Sequence, residues 1–110
     1  MLTEKDYCDY DTCVALKELG LSCDDVALRY EAHPLAYRYE DIPKPMLYEA
    51  QKWLRENHYL HITIFSSSQE SWMYRITKPH QKLEESMYSE DFISYEDALL
   101  HAIKECIKLC

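Results

Sequence analysis

Glycine is nearly missing from this chain: Gly20 is the only one in 110 residues. The P-loop and the dinucleotide fingerprint each need several glycines, so neither device for cradling phosphate is available. Turns must rely instead on Asn, Asp, Ser and Pro. Bases are scarce too, with twelve Lys and Arg against twenty Asp and Glu and a net charge of −8. Such a field repels phosphate backbones, and no nucleic-acid partner is expected. No apolar run approaches the length that spans a bilayer, so no membrane association is expected. The opening six residues lack the charged-then-apolar pattern of a signal peptide, which predicts a cytoplasmic location. There Cys8, Cys13, Cys23, Cys106 and Cys110 stay reduced, and their odd number fits that reading. Paired Cys-x-x-Cys and His-x-x-x-His spacings are also lacking, so neither a metal nor another cofactor is expected.

What is present is ordinary globular material with one excess. The hydrophobic fraction of 47% is too high for disorder. A chain of this size hides roughly two-thirds of its unfolded surface, enough for one core. One domain over residues 1–110 is expected, with an N-terminal part at 1–45 and a core at 46–110. The excess is tyrosine, which occurs ten times.

The first element reads as a short helix capped by Asp9 or Asp11, with Val14, Ala15, Leu16 and Leu19 apolar. Gly20 is placed to stop it in a left-handed cap, after which Leu21 folds back. Val26–Glu31 and Leu35–Glu40 then alternate with period two around Ala32, His33 and Pro34. Pairing Tyr30 with Leu35, Leu28 with Tyr37 and Val26 with Tyr39 predicts a hairpin with Arg29 and Arg38 on its other face. Pro43 and Pro45 introduce a second helix, Pro45 in its first turn, with Leu47, Ala50, Trp53 and Leu54 as the buried stripe. Leu60–Phe65 and Trp72–Thr77 read as strands around a polar loop at Ser66–Ser71, followed by a weaker edge strand near Leu83–Tyr88. Ser94 to Asp97 resembles a capping box, opening a last helix with Tyr95, Leu99, Ala102, Ile103, Cys106 and Cys110 along one side.

The expected class is α+β: an antiparallel sheet with helices on one face, preceded by a short helix and a hairpin. The core order of helix, three strands and helix is similar to the double-stranded-RNA-binding domain, a likeness of topology that says little about function. Separately, Tyr10–Gly20, Pro45–Glu56, His61–Ile64 and Ser94–Leu99 resemble a family of small uncharacterised proteins from gut anaerobes, their mobile elements and phages. That resemblance covers nearly the whole chain except residues 22–41. It implies an architecture and an origin, and it carries no activity.

Each chemical constellation has a plainer structural explanation. His58 and His61 fall on a helix end and a strand and need not converge on a metal. Cys106 and Cys110 sit at the end of a helix where the dipole raises rather than lowers a thiol pKa, so they read as core filler, as do the other cysteines. Ser66, Ser67 and Ser68 lack the glycines of a nucleophile elbow, and Asp24-Asp25 and Glu84-Glu85 read as solvated pairs. Tyrosine, with an apolar body and a wet hydroxyl, suits interfaces. The leading expectation is therefore a non-catalytic interaction module binding an unknown protein partner or itself as a homodimer, with Tyr37 and Tyr39 as candidate contacts. An acidic DNA mimic that blocks a host nuclease or regulator, and a small enzyme, are the alternatives. The first predicts carboxylates in rows on one face, the second a deep polar pocket.

Overall fold

The computed structural model describes residues 4–22, 25, 42–82 and 85–110. The hairpin expected at 26–40, with Tyr37 and Tyr39, and Cys23 all lie outside the described residues. After a 3-10 turn at Glu4–Asp6, the order is α1 (Tyr10–Glu18), α2 (Leu47–His58), β1 (His61–Ser68), β2 (Ser71–Thr77), β3 (Met87–Tyr88) and α3 (Tyr95–Leu109). The class is α+β, and the strands form one antiparallel sheet in the order β1-β2-β3. Among the described residues no helix is long and apolar enough to cross a membrane.

α1 starts and stops by side-chain and glycine chemistry. The Asp9 carboxylate accepts the Thr12 amide at 2.9 Å and also meets Lys104 Nζ of α3 at 2.8 Å. At the other end Gly20 adopts φ 114°, where a Cβ is disfavoured. This lets Gly20 N–H reach Lys17 O at 3.0 Å and Leu21 N–H reach Leu16 O at 3.0 Å, satisfying two orphan carbonyls and burying Leu21.

Two details of α2 differ from expectation. Pro45 precedes the helix rather than joining its first turn: Met46 is the cap, and its N–H donates to Glu49 Oε1 at 2.8 Å. Leu47, Ala50 and Leu54 are buried, whereas Trp53 is only half-buried, its indole packed beside His58 with ring centroids 5.1 Å apart. A stripe i, i+3, i+7 already fills the space against the sheet, and Trp53 falls on its flank.

β1 runs on through Ser66 and Ser68, so the polar loop expected at Ser66–Ser71 shrinks to a turn at Gln69-Glu70. Ladder pairing of Ser66 with Trp72 supplies the partners that serine propensity does not. Ser67 Oγ also donates to Asp91 Oδ1 at 2.7 Å. The edge strand expected near Leu83–Tyr88 reduces to Met87–Tyr88, with residues 83–84 outside the described set. Beyond it the chain stays on β2: Ser89 N–H donates to Tyr74 O at 3.0 Å, and Phe92 and Trp72 exchange bonds of 2.7 and 2.9 Å.

Strand alternation then builds the core. Ile62, Tyr74 and Ile76 are buried with Leu54 of α2 and with Leu99, Ala102, Ile103 and Cys106 of α3 in a single cluster. Burying each large aliphatic side chain contributes about 1.5–3 kcal/mol. Ser94 Oγ accepts the Asp97 amide at 3.1 Å, as the capping-box spacing predicts. Ala98 joins the buried face of α3, while Tyr95 is exposed although its ring meets Trp72 edge to face, and Cys110, the C-cap, is exposed at the helix end. Cys8, Cys13 and Cys106 are buried filler.

Candidate interaction surface

Because both long helices pack on the face carrying Ile62, Tyr74 and Ile76, the residues of opposite parity lie on a face with no helix over it among the described residues. The ladder places His61 beside Thr77, Thr63 beside Arg75, and Phe65 beside Met73 there. β3 adds Tyr88 opposite Arg75. Phe65 and Tyr88 meet edge to face across β2 with centroids 6.3 Å apart, and Tyr88 is 55% exposed. Arg75 reaches across to β1, its Nη2 donating to Oγ1 of its ladder partner Thr63 at 3.3 Å. Its Nε is shielded from solvent and has no acceptor among the described residues. An unpaired buried donor costs about 1–3 kcal/mol until an acceptor reaches it.

At the His61 end the face deepens into an open depression of about 480 Å³ lined by Tyr59, His61, Thr77, Lys78, Pro79 and His80. Tyr59 and His80 hold left-handed backbone at φ 58° and 62°, turning the chain sharply on either side of the depression. Gln81 Oε1 accepts the Lys78 amide at 3.0 Å and fixes the second turn. Arg75 on the face and Lys78 at the depression bring positive charge to this side of a chain of net charge −8.

The other chemical candidates do not assemble. His58 packs on Trp53 while His61 is exposed on β1. Among the described residues no group of three His, Cys, Asp or Glu could hold a metal. Burial pushes the Cys8 thiol well above its ordinary value, helped by the nearby Cys13, Asp9 and Glu49. Burial likewise pushes Cys106 up to about 12, with Cys110 and Glu105 adding to it, and raises Cys110 itself. These three thiols hold their protons at neutral pH and are poor nucleophiles. Ser66 Oγ donates to Ser68 O, and Ser67 Oγ donates to the carboxylate of exposed Asp91.

Phe65, Met73 and Arg75 escaped the sequence reading, which followed only one parity of each strand. The signal was present: β1 and β2 carry large side chains at both parities, which a sheet with one wetted face does not require. Comparison with family models, curated proteins and solved structures finds no match.

Proposed function

We propose that this chain is a non-catalytic protein-interaction module of mobile-element or phage origin, acting in the cytoplasm, and that it docks its partner on the sheet face opposite α2 and α3. The observation that carries this reading is the grouping of Phe65, Tyr88 and Arg75 on that face. Aromatic residues and arginine are the types that dominate interface energies, and here they sit beside one another on a rigid ladder. The partner's matching segment offers an apolar side chain to the Phe65–Tyr88 pair and a carboxylate to the Arg75 guanidinium.

The acidic-mimic alternative needs rows of unneutralised carboxylates. Glu4, Asp9, Glu56 and Glu105 instead each sit against a lysine. The origin rests on the resemblance of Pro45–Glu56 and its companion segments to small proteins of mobile elements. Identifying the neighbouring genes tests it, and a setting of ordinary housekeeping genes contradicts it.

The docking test is capture from a host lysate with wild type, Tyr88→Glu and Met73→Glu. Both side chains point away from the core, so the variants should fold. A partner retained by wild type and lost by both supports the reading. A partner retained equally by all three places the contact elsewhere and overturns it.

A further inference from the structure

The hydrogen-bond pattern of β2 fixes which way β1 turns its own backbone. Trp72 exchanges bonds with Phe92, and Tyr74 pairs with Ser89 through Ser89 N–H to Tyr74 O and Tyr74 N–H to Ser89 Oγ at 2.8 Å. Both residues therefore direct N–H and C=O away from β1. Opposite residues in an antiparallel ladder share one orientation. Ser66, opposite Trp72, and Ile64, opposite Tyr74, thus direct theirs outward, to the free edge of the sheet. Ile62 does the same, and its C=O accepts Gln51 Nε2 of α2 at 2.9 Å, which confirms the alternation. Among the described residues nothing pairs with the outward groups of Ile64 and Ser66.

Edge strands are ordinarily guarded by charge, proline or a bulge, because an open row of backbone groups invites another strand. From Ile62 to Ser66 there is no charged residue and no proline, in a chain whose charged fraction is 29%. The irregularity of β1 falls only after Ser66. Two copies can therefore approach here without opposing like charges.

We propose that β1 pairs antiparallel with β1 of a second copy about a two-fold axis through Phe65, joining two three-stranded sheets into one. The inference rests on the interaction-module reading and adds a second contact to the docking face, self-pairing along the β1 edge. In this register Ile64 faces Ser66 of the second copy, and each such pair exchanges two backbone bonds. Phe65 then lies opposite its own counterpart in the close, non-bonded position, where aromatic pairs contribute most. The neighbouring register, centred on Ile64, would call on the Ile62 carbonyl that Gln51 already occupies. Gln51 thus selects between them. Pairing also brings the two Phe65–Tyr88 groups side by side, doubling the sheet face opposite α2 and α3 with the closed symmetry common among dimers.

Ser66→Pro is the discriminating variant. It deletes an outward amide and leaves the β1–β2 bonds untouched, as proline on an edge strand can. Ser66→Ala keeps the amide. Light scattering after size exclusion should give twice 13.2 kDa for wild type and Ser66→Ala, and a single chain for Ser66→Pro. Should Ser66→Pro not fold, amide exchange on wild type reads the same contact: protection of Ile64 and Ser66 should rise with protein concentration. A wild-type mass of one chain at every concentration overturns the pairing, as does a dimer that Ser66→Pro leaves intact. Protection independent of concentration does so too, since the edge would then be covered within the chain. Partner capture by a monomeric chain that still depends on Tyr88 would leave the module reading standing while the pairing fails.

Discussion

Removing the Asp9 carboxylate should cost about 1–2 kcal/mol at neutral pH, and acid should erase the charge-dependent part of that difference. Asp9 does two jobs. Its Oδ1 caps α1 through the Thr12 amide, a contact whose loss to alanine typically costs about 1 kcal/mol. Its Oδ2 meets Lys104 at 2.8 Å, tying α1 to α3, but the side chains of both partners are about two-fifths exposed. Solvent screening limits that pair to roughly 0.2–1 kcal/mol. Partial burial works to raise the Asp9 pKa, yet the bonds from Lys104 and Thr12 outweigh it and hold the group below the usual carboxylate range. A carboxyl depressed in the folded state stabilises fully above its unfolded pKa of about 3.9 and loses that contribution as pH falls through the folded value. Urea midpoints for wild type, Asp9→Ala and Asp9→Asn at neutral pH and again well below the unfolded pKa provide the assay. The wild-type advantage over Asp9→Ala should shrink on acidification, and Asp9→Asn should fall between the two at neutral pH because asparagine still caps. An Asp9→Ala midpoint equal to wild type at neutral pH, or a gap that widens in acid, would refute this reasoning.

Ser94→Ala should lower stability by about 1 kcal/mol through loss of the bond to the Asp97 amide, and an unchanged denaturant midpoint would show that the cap is idle. Ile76→Ala, at a fully buried position beneath the helices, should cost about 2–5 kcal/mol, and a loss under 1 kcal/mol would mean that the sheet does not form the core there. In the native state a thiol reagent should modify Cys110 before Cys8 and Cys106, because the latter two are buried; peptide mapping that finds Cys8 first would contradict the burial of the segment leading into α1. Duplex RNA should not bind at physiological salt, since the start of α3 carries Glu96 and Asp97 where a phosphate-gripping helix needs lysine; saturable binding in a fluorescence-anisotropy titration would reverse that expectation.

The elements with strong local chemistry were legible. Gly20 after Leu19, Ser94 before a helical stripe, and the alternation of Leu60–Ile64 and Trp72–Ile76 each name their own structure, and the fold class follows from their order. Legibility failed where long-range pairing overrode local preference. Ser66–Ser68 looks like a loop by propensity and is a strand because β2 lies beside it. Trp53 fits the helical stripe by spacing, yet its ring lies half-buried on the flank of that stripe beside His58. The candidate surface was half-visible. Tyrosine excess suggested an interface, yet the attention given to Tyr37 and Tyr39 rested on a segment outside the described residues. The grouping of Tyr88 with Phe65 and Arg75 depends on strand register, which one sequence does not reveal.

The central claim is that the sheet face carrying Phe65, Arg75 and Tyr88 is the contact surface. Titrating the isotope-labelled chain with its captured partner and following backbone amide shifts tests it most directly. The account predicts that the largest changes fall on Thr63, Phe65, Met73, Arg75 and Tyr88. Changes concentrated on the outer faces of α2 and α3, with those five residues silent, would contradict it.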